Sequence, residues 1–284
     1  MDKTEPAQQS NADGVGGNAP PAPWSSLWRQ RELLWQLVRR DVQGRYRGSW
    51  LGLLWSFGHP VFMLAIYTVV LQGVFRLRWD AARDGGADFA LFLFAGLIVH
   101  SLFSECLGRA PAVILENPNY VTKVRFPLEI LALQVLSSAL VHAGVSVSVL
   151  LVFQLALGHG LQATALLLPL ILLPAAVFLL GAIWLLSALG VFVRDITHGM
   201  MLVSSALLFL SPIFYPLSAV PEAYRDLLAL NPLTVIVESL RNVLLLGVAP
   251  DWWALTIYFV VALLLAALGW LAFDRLRRYF SEVV

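Results

Sequence analysis

Residues 130–193 form a run of 64 residues without an Asp, Glu, Lys or Arg. As one helix this run would reach about 96 Å at roughly 1.5 Å per residue, some three times the thickness of a bilayer core. The run must therefore fold back on itself, and Gly158 and Gly160 are typical of the turn. These constraints predict a polytopic membrane protein.

Composition excludes several soluble classes. The chain of 284 residues is 59% apolar and only 13% charged, whereas soluble domains are nearer half apolar and a quarter charged. A net charge of +1 leaves almost no excess of Lys and Arg to bind a phosphate backbone, so no nucleic-acid partner is expected. Cys106 is the single cysteine, which excludes an intrachain disulfide and a CxxC metal site.

Six apolar segments predict an all-α fold of six membrane-spanning helices. The segments are residues 49–75, 89–107, 128–157, 165–193, 199–217 and 252–273. Pro169 and Pro174 predict that the fourth span is kinked or starts late. The membrane domain is expected to cover residues 48–284.

A second helical run is predicted between the fifth and sixth spans. It opens after Asn231-Pro232, covers residues 233–246 and closes at Gly247. Since it is short and carries Glu238 and Arg241, it is not expected to cross a bilayer. It is interpreted as a short re-entrant or interfacial helix on the outer face.

The N-terminal part divides in two. Residues 1–23 are rich in Pro, Gly, Ala and polar residues and are expected to be a disordered tail. Residues 24–47 are predicted to form an amphipathic helix, because Leu34, Leu37 and Val38 recur at i, i+3 and i+4, with Trp28 and Trp35 close to the same stripe. Tryptophan beside arginine favours a helix lying in the membrane interface. The alternative is a helix packed on a soluble partner.

Basic residues set the expected orientation. With the N-terminus inside, fourteen of the nineteen Lys and Arg residues fall on the inner side and five on the outer side. The positive-inside rule then predicts both termini in the cytoplasm.

Motifs for nucleotide or hydrolytic chemistry are absent. The sequence contains no GxxxxGK[ST], GxSxG or HExxH. Glu105 is the clearest ionisable group inside a predicted span, and Arg109 follows it by one helical turn, so the two are expected to pair near the interface. His59, His100 and His142 are expected to be packed or hydrogen-bonded between helices rather than to relay protons.

Two segments outside the spans have notable composition. The run RYRGSWLGLLW at residues 45–55 joins the amphipathic helix to the first span; its arginines and tryptophans suit the membrane interface, and the alternative is a purely topological anchor. The loop ENPNYVTKVRFP at residues 116–127 is short and mixed in charge. It is predicted to hold a short helix that docks on a soluble partner, and the alternative is a plain connecting loop.

Aromatic side chains on the first and fifth spans suit stacking on sugars, although most aromatics in spans face lipid or other helices. The candidates for a channel lining are Phe57, Tyr67, Phe209 and Tyr215.

These features together resemble the membrane subunits of type-2 ABC polysaccharide exporters, which include the O-antigen, capsule and teichoic-acid export permeases. The likeness rests on the two runs above and on FAGL at 94–97, RD at 194–195, SPIFYP at 211–216 and NPLT at 231–234. It covers nearly everything from about Trp24 onward.

The resemblance implies a homodimer, each protomer pairing with a separate nucleotide-binding subunit, so that two copies of that subunit bind ATP and Mg²⁺ and this chain holds no cofactor. A coupling helix to the ATPase would contain Glu116, Asn117, Tyr120, Lys123 and Arg125. An interface or gate helix would contain Trp28, Arg39, Arg40, Arg45 and Arg47. An outer-face gate would contain Glu222, Tyr224, Glu238 and Arg241.

The function implied is ATP-driven export of a lipid-linked polysaccharide across the bacterial inner membrane, with no catalytic residue in this chain. A secondary transporter is the first alternative, although repeats and buried carboxylates are scarce. A membrane-bound glycan transferase is the second, although no acidic metal-binding cluster is visible.

Overall fold

The computed structural model describes residues 31–46, 55–67, 69–70, 86–122, 126–217 and 220–283. Within these ranges the chain is helical and contains no strand. The α-helices are α1 (Arg31–Tyr46), α2 (Trp55–Tyr67), α3 (Gly86–Arg109), α4 (Pro118–Thr122), α5 (Glu129–Ala156), α6 (Leu168–Phe192), α7 (Ile196–Leu210), α8 (Glu222–Ala229), α9 (Thr234–Arg241), α10 (Trp252–Leu276) and α11 (Phe280–Val283). The all-α prediction is confirmed for the described part of the chain.

Four helical segments of that part are long and apolar enough to cross a membrane. They are Phe89–Ala112, Glu129–Ala156, Ala163–Phe192 and Trp252–Val283, of 24 to 32 residues each. Two shorter apolar helices, Phe57–Ile66 and Ile196–Leu210, lie in the predicted first and fifth spans. The count of six spans remains a prediction, and residues 49–54, 68 and 71–75 of the first span lie outside the described residues.

The predicted bounds of the fifth span, residues 199–217, both lie too late in the sequence. Helix α7 begins at Ile196 and ends at Leu210. Pro212 has no N–H and so cannot extend the helical ladder, and the side-chain amide of Asn231 donates to the Leu210 carbonyl, the last in α7, at 3.1 Å. The end of α7 is therefore fixed by a residue 21 positions later in the chain.

Local signals around the fourth span are confirmed. Gly158 and Gly160 have φ of 82° and 69°, left-handed values that glycine adopts without steric cost. A 3₁₀ turn, Ala163–Leu167, precedes α6, so the helix starts at Leu168 with proline in its first turn. Pro169 is tolerated there because the first N–H groups of a helix lack intrahelical partners.

Helices α6 and α10 pack face to face through glycines. A Cβ on Gly269 would overlap the backbone of Gly181, and a Cβ on Gly181 would lie 2.6 Å from the backbone of Ala266. Close backbone approach at small residues is the usual way that helices associate in lipid. One level away, the rings of Trp184 and Trp270 meet edge to face with centroids 5.1 Å apart.

The bundle has two differently built ends. One end, where α3 finishes at Arg109, is called the basic end. It contains α4, α11 and the turn at Ala110–Ala112, where a Cβ on Gly190 would overlap the Pro111 carbonyl. Phe280 is fully buried there, between Phe273 and Phe192. The opposite end contains α8, α9 and the turn at Gly158.

The helical run predicted at 233–246 is confirmed. It consists of α9 followed by a π-helical turn, Asn242–Leu246, and it ends at Gly247 with φ of 69°. Ile236, Val237 and Leu240 are fully buried. The run is therefore enclosed by the protein rather than lying on its surface.

Helix α1 packs on α5. Leu37 and Val38 are buried, as predicted for the apolar stripe. The placement of Trp35 on that stripe is wrong: its side chain is 65% exposed, because it lies about 100° around the helix from Leu34. The tail at 1–23 and the first residues of the predicted amphipathic helix lie outside the described residues.

Glycine packing between α6 and α10 predicts a large effect of one added methyl group. Gly269→Ala places a Cβ against the Gly181 backbone and should destabilise the bundle by about 1–3 kcal/mol or more, as overpacked cores do. The measurement is the thermal midpoint of the detergent-purified protein.

The matched control is Gly144→Ala on α5, where a Cβ meets nothing within 4 Å. This change should leave the midpoint unchanged or raise it, because alanine favours a helix by about 0.5–1 kcal/mol over glycine. Equal midpoints for the two variants would contradict the glycine-mediated packing.

Candidate functional site

A cluster of charged side chains joins three helices near the basic end. Glu105 of α3 accepts a hydrogen bond from the guanidinium of Arg45 on α1. His142 Nδ1 of α5 lies 3.1 Å from Glu105 Oε2. Arg109 donates to Asp41 of α1 at 2.8 Å and to Glu105 at 3.3 Å. We call these five residues the Glu105 cluster.

The predicted Glu105–Arg109 pair is thus present, but it is only one contact of this network. Arg109 makes its shorter bond to Asp41, a residue that the sequence reasoning did not consider. A signal was available, since Asp41 and Arg45 follow buried Leu37 at successive i, i+4 positions and so lie on the packed face of α1.

A cavity of about 640 Å³ opens beside the Glu105 cluster, between α2, α3 and α5. Its lining combines apolar side chains with several polar ones. The polar and aromatic lining residues are Arg45, Trp55, His59, Ser101, Glu105, His142 and Ser146. Polar groups converging within apolar helices are costly and are usually retained for function.

Two of the three histidines are hydrogen-bonded between helices as predicted, and the prediction is wrong for His59, which is exposed. His142 bonds between helices, and the ring of His100 on α3 lies 3.0 Å from the Ser204 carbonyl on α7. His59 has an exposed side chain on α2. Among the described residues no group of three or more His, Cys, Asp and Glu side chains is arranged to hold a metal ion.

The predicted coupling segment does form a short helix, α4. Tyr120 stacks on Phe126 with ring centroids 4.3 Å apart, and its hydroxyl accepts a hydrogen bond from Arg40 at 3.2 Å. Glu116 is exposed, and the Asn117 side chain donates to the Val113 carbonyl. Lys123 and Arg125 lie outside the described residues.

The structure therefore brings two predicted sites together. Arg40 of the interface helix touches Tyr120 of α4, and Arg45 of the same helix reaches the Glu105 cluster. Arg39 is exposed. Trp28 and Arg47 lie outside the described residues. Helix α11 also packs against α4.

Of the candidate channel aromatics, Phe57 and Phe209 are exposed, at 46% and 69%. Tyr215 donates to the Phe209 carbonyl at 3.2 Å, so these two residues are neighbours at the end of α7. The side chain of Tyr67 lies outside the described residues. The channel role of all four stays a prediction.

The predicted outer-face residues fall into two environments. Glu222 and Tyr224 are exposed on α8. Arg241 is 1% exposed and donates to the backbone carbonyls of Phe92, Pro212 and Ile213 at 2.9, 2.6 and 2.9 Å. These bonds tie α9 to the start of α3 and to the turn after α7.

The Arg241 guanidinium also pairs with Glu238 at 3.0 Å. Burial lowers the pKa of Arg241 to about 10, while the Glu238 carboxylate opposes that shift. The side chain therefore stays protonated at neutral pH. Gly96 provides the space, since a Cβ there would lie 3.0 Å from Arg241 Nη2.

Four long apolar helices within the described residues indicate a multi-pass membrane protein. Comparison with known families then specifies the class. Residues 32–245 match the ABC-2 type transporter family, and the chain belongs to that family. Membership implies a partnership with a nucleotide-binding ABC subunit.

Individual relatives align over most of the chain. An O-antigen export system permease protein RfbA from Myxococcus xanthus is 30% identical over 260 residues, covering 91% of this chain and 97% of that protein. RfbA from Klebsiella pneumoniae is 24% identical, covering 89% and 95%. The polysialic acid transport protein KpsM from Escherichia coli is 24% identical, covering 77% and 83%.

Substitution of the buried Arg241 tests what stabilises the end of the bundle that contains α8 and α9. Arg241→Leu removes donors from three backbone carbonyls and the counter-charge from Glu238, so stability should fall by about 3–5 kcal/mol, as when a buried charge loses its partner. The readout is the thermal midpoint in detergent, with the exposed Arg225→Leu on α8 as the matched control. Equal midpoints for the two variants would show that Arg241 does not hold this end together.

Proposed function

We propose that this chain is the permease subunit of an ATP-driven exporter that moves a lipid-linked polysaccharide, most specifically an O-antigen, across the inner membrane. The observation that carries the proposal is end-to-end similarity to an O-antigen export permease, which spans 97% of that relative. KpsM, named for polysialic acid transport, supports a polysaccharide cargo of broader kind.

In this proposal the chain works as a homodimer with two copies of a nucleotide-binding subunit, which hold ATP and Mg²⁺. Both termini and the basic end face the cytoplasm, and α8 and α9 face the periplasm. The orientation is supported by the fourteen Lys and Arg residues that fall on the inner side.

Helix α4 is proposed as the docking site for the nucleotide-binding subunit. It lies outside the long apolar helices, and Pro118 and Asn119 of α4 and Glu116 just before it are exposed. The Arg40–Tyr120 bond and the contact with α11 both hold it in position. A docking element that contacts both α1 and α11 can pass a displacement to the bundle rather than move independently of it.

The polymer path is proposed to run between the two protomers, past aromatic side chains of α2 and α7. Sugar C–H faces pack on flat aromatic rings without tight binding, and Phe57 and Phe209 are exposed in the single chain. Lys123, Arg125 and the residues of α8 retain their predicted coupling and gate roles within this proposal.

Deletion of the gene in its source bacterium tests the proposal. Surface polysaccharide should be lost while the lipid-linked glycan accumulates inside the cell, because synthesis does not need the exporter. Reintroduction of the chain should restore both. Normal surface polysaccharide in the deletion strain, with no second exporter gene present, would refute the proposed function.

A substitution in α4 tests docking. Tyr120→Asp puts a carboxylate where a ring stacks on Phe126 at 4.3 Å, so the nucleotide-binding subunit should co-purify about tenfold less, a change of about 1.4 kcal/mol. Membrane insertion should be normal. Tyr120→Phe keeps the ring and should lose much less.

The matched control is Tyr224→Asp on α8, an exposed tyrosine at the opposite end. Co-purification there should equal that of the unsubstituted chain. If Tyr120→Asp binds the ATPase subunit as well as Tyr224→Asp does, α4 is an ordinary connector.

A further inference from the structure

The cavity between α2, α3 and α5 has the dimensions and lining of a ligand site. Its volume of about 640 Å³ falls within the roughly 300–1,000 Å³ typical of small-molecule pockets. Apolar walls come from Pro60, Ile98, Leu102, Ala139 and Ala143. Hydroxyl, imidazole and carboxylate groups interrupt these walls on all three helices.

The charges along the cavity are already compensated. Glu105 is paired with Arg45 and Arg109, and Arg109 is also paired with Asp41. Two guanidinium groups thus face two carboxylates. Arg45 is the arginine among the described residues that line the cavity, and its guanidinium is paired with Glu105.

A charge-balanced cavity favours a neutral, hydroxyl-rich ligand over an anion. An anion would have to draw Arg45 away from Glu105 and leave that carboxylate with Arg109 at 3.3 Å and His142 at 3.1 Å as its remaining partners in an apolar helix, which costs free energy. Hydroxyl groups of a ligand can instead donate to the Glu105 carboxylate. They can also donate to or accept from Ser101 and His59, because a hydroxyl is both donor and acceptor.

Trp55 supplies the stacking surface that sugars need. The side chain is 46% exposed and lines the cavity. Its ring lies along α2 beside Gly58, where an added Cβ would touch the ring at 3.4 Å. An aromatic face beside hydroxyl and carboxylate groups suits a sugar ring, which has apolar C–H faces and a polar rim.

We infer that this cavity binds one or two sugar rings of the cargo, within a single protomer. The inference rests on the proposed function and adds a site distinct from the aromatic path between protomers. Glu105 and Ser101 lie four and eight residues before Arg109 at the basic end of α3. In the proposed orientation the site therefore receives the glycan on the cytoplasmic side before it enters that path.

Cysteine accessibility tests the inference directly. Ser101 is exposed and lines the cavity, whereas the native Cys106 is buried and should react slowly. Ser101→Cys is labelled with a small polar maleimide in membranes that contain the permease and a hydrolysis-deficient nucleotide-binding subunit. One strain makes the lipid-linked glycan, and a second is blocked at transfer of the first sugar.

Labelling should be about three- to tenfold slower in the glycan-producing strain, since pockets of this type cover roughly 70–90% of a bound ligand. Ser281→Cys, exposed on α11, is the matched control and should label equally in both strains. The blocked strain still contains the lipid phosphate carrier. Slow labelling in both strains, relative to the detergent-purified complex, would assign the cavity to the lipid headgroup and overturn the inference.

Equal, fast labelling in both strains would also overturn it. If Ser101→Cys with an active ATPase subunit still exports glycan in that case, the proposed function stands and only the sugar site fails. Absence of export by the unsubstituted chain would instead refute the proposed function.

A second variant fills the cavity without relying on labelling. Ser101→Trp should reduce export at least about tenfold while the complex still assembles and hydrolyses ATP, because the bulky ring occupies space that the sugar needs. Ser148→Trp, at an exposed position of α5 outside the cavity lining, should export normally. Normal export by Ser101→Trp would contradict a sugar site in this cavity.

Discussion

The Glu105 carboxylate is the contact on which the basic half of this molecule depends. It takes a hydrogen bond from α1, shares Arg109 on its own helix and meets His142 on α5. A carboxylate within an apolar helix is stable only when it is compensated, and loss of one partner leaves an expensive unpaired charge. Together with the buried Leu37 and Val38, these contacts hold α1 against the bundle.

This arrangement links three parts that lie far apart in the sequence. Through Arg40 and Arg45, α1 touches both the proposed docking helix and the cavity wall. At the opposite end Arg241 performs a similar task with backbone carbonyls as partners. Between the two ends, glycine contacts between α6 and α10 provide tight packing without charge. Polar contacts thus hold the bundle together at its two ends, and glycine contacts pack α6 closely on α10 between them.

Features with a local cause were predictable from the sequence. The left-handed turn at Gly158, the late start of α6 at Pro169 and the enclosed run that ends at Gly247 all follow from the conformational limits of glycine and proline. The apolar stripe of α1 followed from its periodicity, except at Trp35, where nearness in sequence was mistaken for nearness on the helix surface.

Features with a distant cause were not predictable. The end of α7 depends on Asn231, and the environment of Glu105 depends on helices that begin 74 residues before and 24 residues after it. Sequence patterns give the face of each helix but not the register between helices. Arg241 illustrates the limit most clearly: composition placed it at the outer face, and only the fold shows that it is buried among carbonyl groups.

Transport by the purified permease and nucleotide-binding subunit tests directly whether this chain exports a polysaccharide. The permease and its nucleotide-binding subunit are reconstituted in vesicles with the ATPase outside, and the lipid-linked glycan is supplied in the outer leaflet. The glycan should become protected from an added glycosidase only when hydrolysable ATP is present and only when both subunits are present. Protection without ATP or without the nucleotide-binding subunit, or none with the full system, would contradict ATP-driven polysaccharide export by this chain.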